Sequence, residues 1–194
     1  MSQGLGALED RIRGCRRCPG LAGGFPGRGP VPARVAFVGE APGRLGCGRT
    51  GIPFAGDRSA ENFERLLARA GLRREEVFVT NAVHCIPFAG DGRNRRASRE
   101  EVDRCRDHLL AELALVRPRV VVTMGTVALG ALAGRTAGSM REEVGRPRGV
   151  GPFVVFPVYH PSPRVAASAR TPRAQEEDFA RLGRWLRACD RRRR

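Results

Sequence analysis

The stretch VAFVGEAPG at residues 35–43, continued by RTGIPFAGD at residues 49–57, decides how this 194-residue chain folds. An apolar run ends abruptly in Gly-Glu-Ala-Pro-Gly, which is typical of a buried parallel strand that turns into a loop at its carboxyl end. Glycines and prolines bring the loop backbone close to a ligand. Glu40 and Asp57 supply carboxylates and Phe54 supplies an aromatic face. We therefore expect the chemistry of the protein at this loop.

Similar strands recur along the chain, and helical patterns separate them. Strands are predicted at residues 34–38, 77–83, 119–124 and 153–158. Ser59 is the predicted cap of a helix that ends at Gly71, and residues 98–101 form a capping box that opens another. This alternation predicts a three-layer α/β/α sandwich with a central, mainly parallel four-stranded sheet. We expect one domain over residues 1–194, with a basic tail at 190–194 whose four arginines are frayed.

Polar residues cluster at the predicted carboxyl ends of these strands, where ligands bind in such sheets. His160, held between a strand and prolines, can donate a hydrogen bond to a developing anion, or it is a structural loop histidine. The amide of Asn81 suits the edge of a base, and a turn-capping asparagine is the alternative. Phe54 is either an exposed aromatic face or a core residue. The convergence of these motifs on one edge favours a binding site.

Cysteines form a second pattern. Cys15 and Cys18 make a CxxC pair, Cys85 follows the second strand, and Cys105 lies on the next helix. This set suits either a tetrahedral zinc ion or an iron–sulfur cluster, whereas Cys105 by itself would be ordinary core. His84 and His108 are expected to be structural or exposed.

The charge of the chain points to a polyanionic partner. All 35 cationic residues are arginine, against 20 acidic residues, which leaves a formal net charge of +15. Codon bias in a GC-rich genome explains the missing lysine but not the excess of cations, so nucleic acid is the expected partner. No secretory signal is evident, and the longest apolar run, residues 120–133, is too short and too rich in glycine to span a bilayer. We expect an intracellular protein that does not associate with membranes.

Together these motifs resemble the uracil-DNA glycosylase superfamily, in particular its iron–sulfur-containing family 4 and family 5 enzymes. Residues 39–43 resemble the first active-site motif of family 4, residues 51–54 its uracil-stacking segment, residues 80–85 its uracil-reading strand and residues 160–162 its second active-site motif. The resemblance extends from the cysteine pair to the last helix.

The resemblance implies an enzyme that flips uracil out of single- or double-stranded DNA and hydrolyses its N-glycosidic bond. It implies that Phe54 stacks on the base, Asn81 reads its edge and His160 stabilises the uracil anion. The remaining implied substrate contacts are Gly39, Ala41, Pro42, Ser162 and Arg164, the last of which fills the gap in the duplex or clamps a phosphate. The implied cofactor is a structural [4Fe-4S] cluster on Cys15, Cys18, Cys85 and Cys105, with no metal in the chemical step. A monomer in the bacterial or archaeal cytosol is expected.

The catalytic carboxylate stays open between Glu40 and Asp57. Glu40 matches the family 4 motif, but the acidic run that usually follows is replaced by RLGCGRT at residues 44–50. Residues 49–51 and 56–57 resemble family 5, in which this aspartate has been implicated. We place Glu40 first and Asp57 second, and helix capping is an equally serious interpretation of Asp57.

Other functions stay open as well. The chain could be a non-enzymatic iron–sulfur or zinc protein that binds nucleic acid, or a glycosylase for another deaminated base such as hypoxanthine or xanthine. A relative that attaches covalently to the abasic product ranks low, because its basic loop is not evident after Gly51.

Overall fold

A computed structural model describes residues 2–134 and 138–192, and a five-stranded sheet lies at its centre. The strands are β1 (Leu21–Ala22), β2 (Val35–Gly39), β3 (Val77–Asn81), β4 (Ile86–Pro87), β5 (Val120–Met124), β6 (Arg148–Val150) and β7 (Phe153–Val158). The central sheet has the order β3-β2-β5-β7-β6, and β1 pairs separately with β4. All neighbours in the central sheet run parallel except β6 and β7.

The four predicted strands are all present, and β6 is a fifth that the prediction missed. Its three residues, Arg-Gly-Val, are partly or fully exposed and show no buried apolar face. By contrast, every residue of β2, β3 and β5 is buried, as expected for parallel strands covered on both faces. The antiparallel edge strand extends the predicted sheet without changing the fold class.

Helices cover both faces of the sheet, which confirms the three-layer sandwich. They are α1 (Ser2–Arg13), α2 (Cys47–Thr50), α3 (Arg58–Ala70), α4 (Arg99–Val116), α5 (Thr126–Ala133), α6 (Met140–Glu143), α7 (Pro163–Ser168) and α8 (Pro172–Arg191). Phe63 of α3 and Phe179 of α8 pack on one face of the sheet. Leu109 of α4 and Leu129 of α5 belong to the core on the other face.

Helix ends mostly follow the sequence signals, with one correction. Ser98 and Glu101 form the predicted capping box at the start of α4. The cap of α3 is Asp57, not Ser59: its Oδ1 accepts a hydrogen bond from the backbone N–H of Ala60 at 2.9 Å. The sequence leaves Asp57 open as a catalytic carboxylate or as a helix cap, and the structure shows the capping contact.

Helix α8 extends one residue into the four-arginine tail that the sequence predicts to be frayed. Helix α8 continues to Arg191, and Asp190 accepts ion pairs from Arg34 at 2.6 Å and Arg119 at 3.7 Å. Arg193 and Arg194 lie outside the described residues. Within the described ranges, no helix has the length and apolar character needed to cross a membrane.

The register of the sheet places the candidate site. Gly39 at the end of β2 is paired with Asn81 at the end of β3. The backbone N–H groups of Ala82 and Val83 continue this contact by donating to the carbonyls of Gly39 and Glu40, at 2.8 and 3.0 Å. The two loops therefore leave the sheet side by side.

Candidate active site

A cavity of about 180 Å³ lies at the carboxyl ends of β2 and β3. Six of the ten predicted active-site residues line it: Ala41, Pro42, Phe54, Asp57, Asn81 and His160. It is smaller than the roughly 300 Å³ at which pockets for drug-sized ligands begin, so it suits one small molecule such as a single base.

Asn81 forms the floor of this cavity with an amide that has no hydrogen-bond partner. The residue is 1% exposed, and neither Oδ1 nor Nδ2 bonds to any part of the chain that the structure describes. A buried donor and acceptor left unpaired cost about 1–3 kcal/mol each, which a ligand with the complementary edge would recover. The orphaned amide therefore marks the cavity as a binding site for a polar, planar group.

Gly39 makes room for this amide and for the aromatic ring above it. A Cβ at this position would lie 2.6 Å from Oδ1 of Asn81 and 2.6 Å from Cε2 of Phe54. Both distances are shorter than any real contact, so the strand must end in glycine for the amide and the ring to share the cavity. Gly39 is thus part of the site although it does not line the cavity itself.

Phe54 adopts a strained backbone conformation at the cavity wall. Its φ of 54° lies in the left-handed region, which a bulky residue rarely occupies. Its ring lies 5.1 Å from that of Phe63 and 5.4 Å from that of His160, measured between centroids. Such strain persists only where the surroundings hold it, and it concentrates at functional sites. The aromatic ring is thus fixed against the cavity.

His160 presents a neutral imidazole to the same cavity. The backbone N–H of Ser162 donates to its Nδ1 at 3.1 Å, which leaves the proton of a neutral ring on Nε2. Burial lowers the pKa of His160 to about 4, and the nearby carboxylate of Asp57 opposes that shift only in part. The side chain is therefore a neutral hydrogen-bond donor over the physiological pH range.

Two side chains that the sequence analysis did not single out hold the histidine loop in place. Gln175 of α8 donates from Nε2 to the carbonyl of His160 at 3.3 Å. Asn62 of α3 donates from Nδ2 to the carbonyl of Pro161 at 3.0 Å. Neither Gln175 nor Asn62 belongs to a motif. Their positions in helices do not indicate which loop their side chains contact.

The structure separates the two candidate carboxylates. Asp57 lines the cavity and uses Oδ1 to cap α3, as described above. Glu40 does not line the cavity, and its Oε1 accepts a hydrogen bond from the backbone N–H of Ala97 at 2.9 Å. Glu40 therefore ties the loop after β2 to the segment before α4, and Asp57 is the carboxylate beside Phe54, Asn81 and His160.

A wider vestibule of about 590 Å³ adjoins the cavity and is lined by Arg44, Arg58, Arg93 and Arg164. Arg93 pairs with Asp91 at 2.6 Å, while the other three form no ion pair with the described residues.

Ser162 caps α7 by accepting from the backbone N–H of Val165 at 3.4 Å, one residue beyond Arg164. Ser162 and Arg164 are thus placed at the rim of the site and not within the cavity. Asn94, another residue missed from sequence, lines both spaces.

The four predicted cysteine ligands line one separate cavity of about 540 Å³: Cys15, Cys18, Cys85 and Cys105. Burial raises the pKa of the Cys85 thiol to about 12, and the charges of the three other cysteines add to that shift. Among the described residues, no group of three or more His, Cys, Asp or Glu side chains has the arrangement expected for a single metal ion. Cys47, which the cysteine pattern left over, lies instead in the candidate active site.

A buried polar chain links Cys105 to strand β3. The backbone N–H of His84 donates to Sγ of Cys105 at 3.3 Å, and its Nδ1 lies 3.2 Å from the same atom. Nε2 of His84 lies 3.0 Å from Oε2 of Glu112, which accepts from Oγ1 of Thr80 at 2.5 Å. Burial opposes protonation, but the Glu112 carboxylate and Cys105 outweigh it and raise the pKa of His84 to about 10. His84 and His108 are both buried, which excludes the exposed alternative and leaves the structural one.

Comparison with known proteins shows the family of this chain. Residues 26–187 match the family model described as the uracil DNA glycosylase superfamily. A type-4 uracil-DNA glycosylase of Archaeoglobus fulgidus is 35% identical, with 91% of this chain and 92% of the relative covered. A type-4 enzyme of Thermotoga maritima is 33% identical, with 80% of each chain covered. A type-5 uracil-DNA glycosylase of Pyrobaculum aerophilum is 35% identical, with 79% of this chain and 80% of the relative covered. On these matches and its fold, the chain belongs to the uracil-DNA glycosylase superfamily.

Proposed function

We propose that this protein is a DNA repair glycosylase that flips uracil out of DNA and hydrolyses its N-glycosidic bond, leaving an abasic site for base excision repair. The observation that carries the proposal is the unpaired amide of Asn81, buried in a base-sized cavity beside Phe54 and His160. A base within a duplex is out of reach of any protein cavity, so the nucleotide must be extruded at a cost of a few kcal/mol. Stacking and edge recognition offset that cost.

Recognition follows from the donor and acceptor pattern of the amide. Nδ2 of Asn81 donates to O4 of uracil, while Oδ1 accepts from its N3–H. Cytosine has an amino group, a donor, in place of O4 and an unprotonated ring nitrogen, an acceptor, in place of N3–H. Its donor would face the Nδ2 donor of Asn81, and its acceptor would face the Oδ1 acceptor. The ring of Phe54 stacks on the face of the bound base.

The chemical step separates charge between base and sugar, and neighbouring groups stabilise each part. As the glycosidic bond breaks, negative charge develops on the uracil, and His160 donates from Nε2–H to its O2. A neutral donor is suited to this role, because the hydrogen bond from His160 to O2 strengthens as the uracil anion forms. The imidazole does not have to be protonated beforehand.

We assign the water-orienting carboxylate to Asp57, which reverses the order in which sequence motifs place the two candidates. Asp57 lines the cavity. Its Oδ1 accepts the hydrogen bond that caps α3, and its Oδ2 takes no part in that bond. A carboxylate there stabilises the cationic sugar and accepts the proton of the attacking water. Glu40 keeps a positioning role through Ala97.

The four cysteines fit a structural [4Fe-4S] cluster. They come from three separate segments of the chain and line one cavity. When bound, the cluster supplies a covalent cross-link between the N-terminal segment, the segment after β3 and helix α4. It takes no part in the chemical step, since its cavity shares no lining residue with that of Asn81.

Uracil-containing DNA, single- or double-stranded, is the proposed partner. The net charge of +15 attracts the phosphate backbone, and the arginines of the vestibule lie where strands would pass the cavity. We propose that the enzyme acts as a monomer, since one chain contains every residue of the proposed site. A repair enzyme works where the chromosome is, which places this one in the bacterial or archaeal cytosol.

A panel of single-stranded oligonucleotides tests the substrate. Each carries one uracil, cytosine, thymine, hypoxanthine or xanthine, and abasic sites are read by alkaline cleavage. We expect release of uracil and none of cytosine, and Asn81→Asp should slow uracil release about 10- to 100-fold. Release of hypoxanthine or xanthine without uracil would favour a different base specificity. Salt-sensitive DNA binding without release of any base would favour the non-enzymatic binding protein.

A further inference from the structure

A buried carboxylate on helix α4 holds three separate parts of the chain. Glu112 is 1% exposed, and its Oε1 accepts a hydrogen bond from the backbone N–H of Gly27 at 2.6 Å. Its Oε2 accepts from Oγ1 of Thr80 at 2.5 Å and lies 3.0 Å from Nε2 of His84. A buried carboxylate is costly unless it is hydrogen-bonded, so these partners explain why the interior tolerates it. None of the four residues lines the base cavity.

His84 links this carboxylate to a proposed cluster ligand. Its backbone N–H donates to Sγ of Cys105 at 3.3 Å, and Nδ1 of its ring lies 3.2 Å from the same sulfur. The backbone N–H of Phe25 donates to the carbonyl of His84 at 2.8 Å, which fixes the residue further. Cys105 and Glu112 both belong to α4 and lie about two turns apart, so they share one face of the helix. The imidazole of His84 is held between them.

The chemistry of the sulfur decides how the ring nitrogen beside it is used. A cysteine that binds iron does so as a thiolate, which has no proton, so Sγ of Cys105 can only accept a hydrogen bond. A bare Nδ1 at this distance would repel the thiolate, whereas Nδ1–H is attracted to it. His84 therefore gives the bound sulfur two donors, one from its backbone and one from its ring.

We propose that His84 is a positioning residue for the iron–sulfur cluster: it donates two hydrogen bonds to the sulfur of Cys105, and Glu112 fixes the orientation of its ring. Groups that hydrogen-bond to metal ligands orient those ligands and tune the affinity and the reduction potential of the centre. The inference rests on the proposed cluster and goes beyond it, because the set of four cysteines gives neither His84 nor Glu112 a role.

Two amide variants separate the contact with sulfur from the contact with the carboxylate. The amide nitrogen of asparagine takes the place of Nδ1, so His84→Asn keeps a donor beside Sγ of Cys105. The amide nitrogen of glutamine takes the place of Nε2, so His84→Gln keeps the contact with Glu112 and loses the side-chain donor to sulfur. The two variants differ by one methylene group, and each therefore controls for the other.

The reduction potential of the cluster reports the sulfur contact. An N–H donor at the sulfur stabilises the additional negative charge of the reduced cluster, so losing that donor lowers the potential. Electrochemistry on the purified holoprotein should give a lower potential for His84→Gln than for wild type, and a potential close to wild type for His84→Asn. The potential serves only as a reporter of the hydrogen bond, because hydrolysis of a glycosidic bond requires no electron.

The rate at which a chelator removes the iron is the second readout. The visible absorbance of His84→Gln should decay about 10- to 100-fold faster than that of wild type, the effect typical of losing such a partner. Glu112→Gln should also accelerate the decay, because the ring of His84 is then less firmly oriented. Asp178→Asn should leave the decay unchanged. Asp178 is the matched control, since its carboxylate is likewise 1% exposed and is paired with Arg170 at 2.7 Å.

Separate results would overturn the two parts of the proposal. Equal potentials in His84→Asn and His84→Gln would show that His84 does not act through the sulfur. Equal rates of decay in Glu112→Gln and Asp178→Asn would remove Glu112 from the arrangement. A wild-type protein without iron after anaerobic purification would overturn the proposal together with the cluster, and uracil release by that same protein would show that the proposed glycosylase function still holds.

Discussion

His160 is held neutral in the folded protein by its burial and its hydrogen bond. Its Nδ1 accepts from the backbone of Ser162, and burial lowers its pKa to about 4. The folded protein therefore leaves His160 neutral between pH 4 and 6.5, whereas the unfolded chain binds a proton there. The free energy of unfolding therefore has its full value, as far as His160 is concerned, above pH 6.5. It falls as the pH drops toward 4, because the unfolded chain takes up a proton that the folded protein does not.

The corresponding prediction concerns the pH dependence of catalysis. Since the neutral ring is the active donor, single-turnover release should show no loss attributable to His160 as the pH falls through 6.5, and a loss only near pH 4. An NMR titration of the histidine ring protons, with His160→Gln to assign the signal, measures the same pKa directly. A His160 signal that titrates near 6.5 would contradict the neutral-donor assignment.

Gly39 gives a second prediction at this scale. In Gly39→Ala the added methyl group overlaps the Asn81 amide and the Phe54 ring, so we expect uracil release to fall at least about tenfold and stability to fall by about 1–3 kcal/mol. Gly130→Ala on α5 is the matched control, because a Cβ there meets nothing within 4 Å and alanine favours a helix. Wild-type activity in Gly39→Ala would show that the cavity is not shaped as described.

At the scale of elements, the segment between β3 and α4 joins the two proposed sites. Asn81 ends β3, Cys85 lies four residues later, and the contact of His84 with Glu112 fastens this segment to α4. We expect Cys85→Ser to lose the visible absorbance of the cluster together with the yield of folded protein, because the segment is left without its cross-link. Cys189→Ser, outside the proposed ligand set, is the control. Unchanged absorbance and yield in Cys85→Ser would show that the ligand set is wrong.

The elements also show which signals the sequence carries and which it lacks. Buried strands such as β2 and β5, and the capping box at Ser98, follow from local patterns of apolar and polar residues. Strand β6 could not be predicted, because its pairing depends on the neighbouring β7 and not on its own composition. Asp57 was recognised as a possible cap and as a possible catalyst, but only the folded chain shows that it caps α3 and lines the cavity as well.

Similar limits apply to the site. Motifs identified Asn81, Phe54 and His160, since each stands at the carboxyl end of a strand or in a loop rich in glycine and proline. The supporting contacts of Gln175, Asn62 and Asn94 could not be found, because they join segments far apart in sequence. The choice between Glu40 and Asp57 depends on a contact that motifs do not show, the hydrogen bond from the Ala97 backbone to the Glu40 carboxylate.

For the whole molecule, the excess of arginine predicts a strong dependence of DNA binding on salt. The logarithm of the binding constant should fall linearly with the logarithm of salt concentration, since phosphate contacts release counterions. Arg164→Ala should reduce the slope by about 0.7 to 0.9, one phosphate contact, while Arg184→Ala on the exposed side of α8 should leave it unchanged. Equal slopes for wild type and Arg164→Ala would remove Arg164 from the DNA interface.

One small cavity brings the base-reading amide of Asn81 together with the proposed catalytic carboxylate, and Asp57→Asn is the sharpest test of that pairing. Asparagine caps a helix about as well as aspartate, so the variant should fold and lose only the charge. Single-turnover release of uracil from single-stranded DNA should fall at least about 100-fold in Asp57→Asn. Glu40→Gln and the surface variant Asp103→Asn should stay within a few-fold of wild type. A steep loss in Glu40→Gln with none in Asp57→Asn would rule out Asp57 as the catalytic carboxylate and assign that role to Glu40 in the loop after β2.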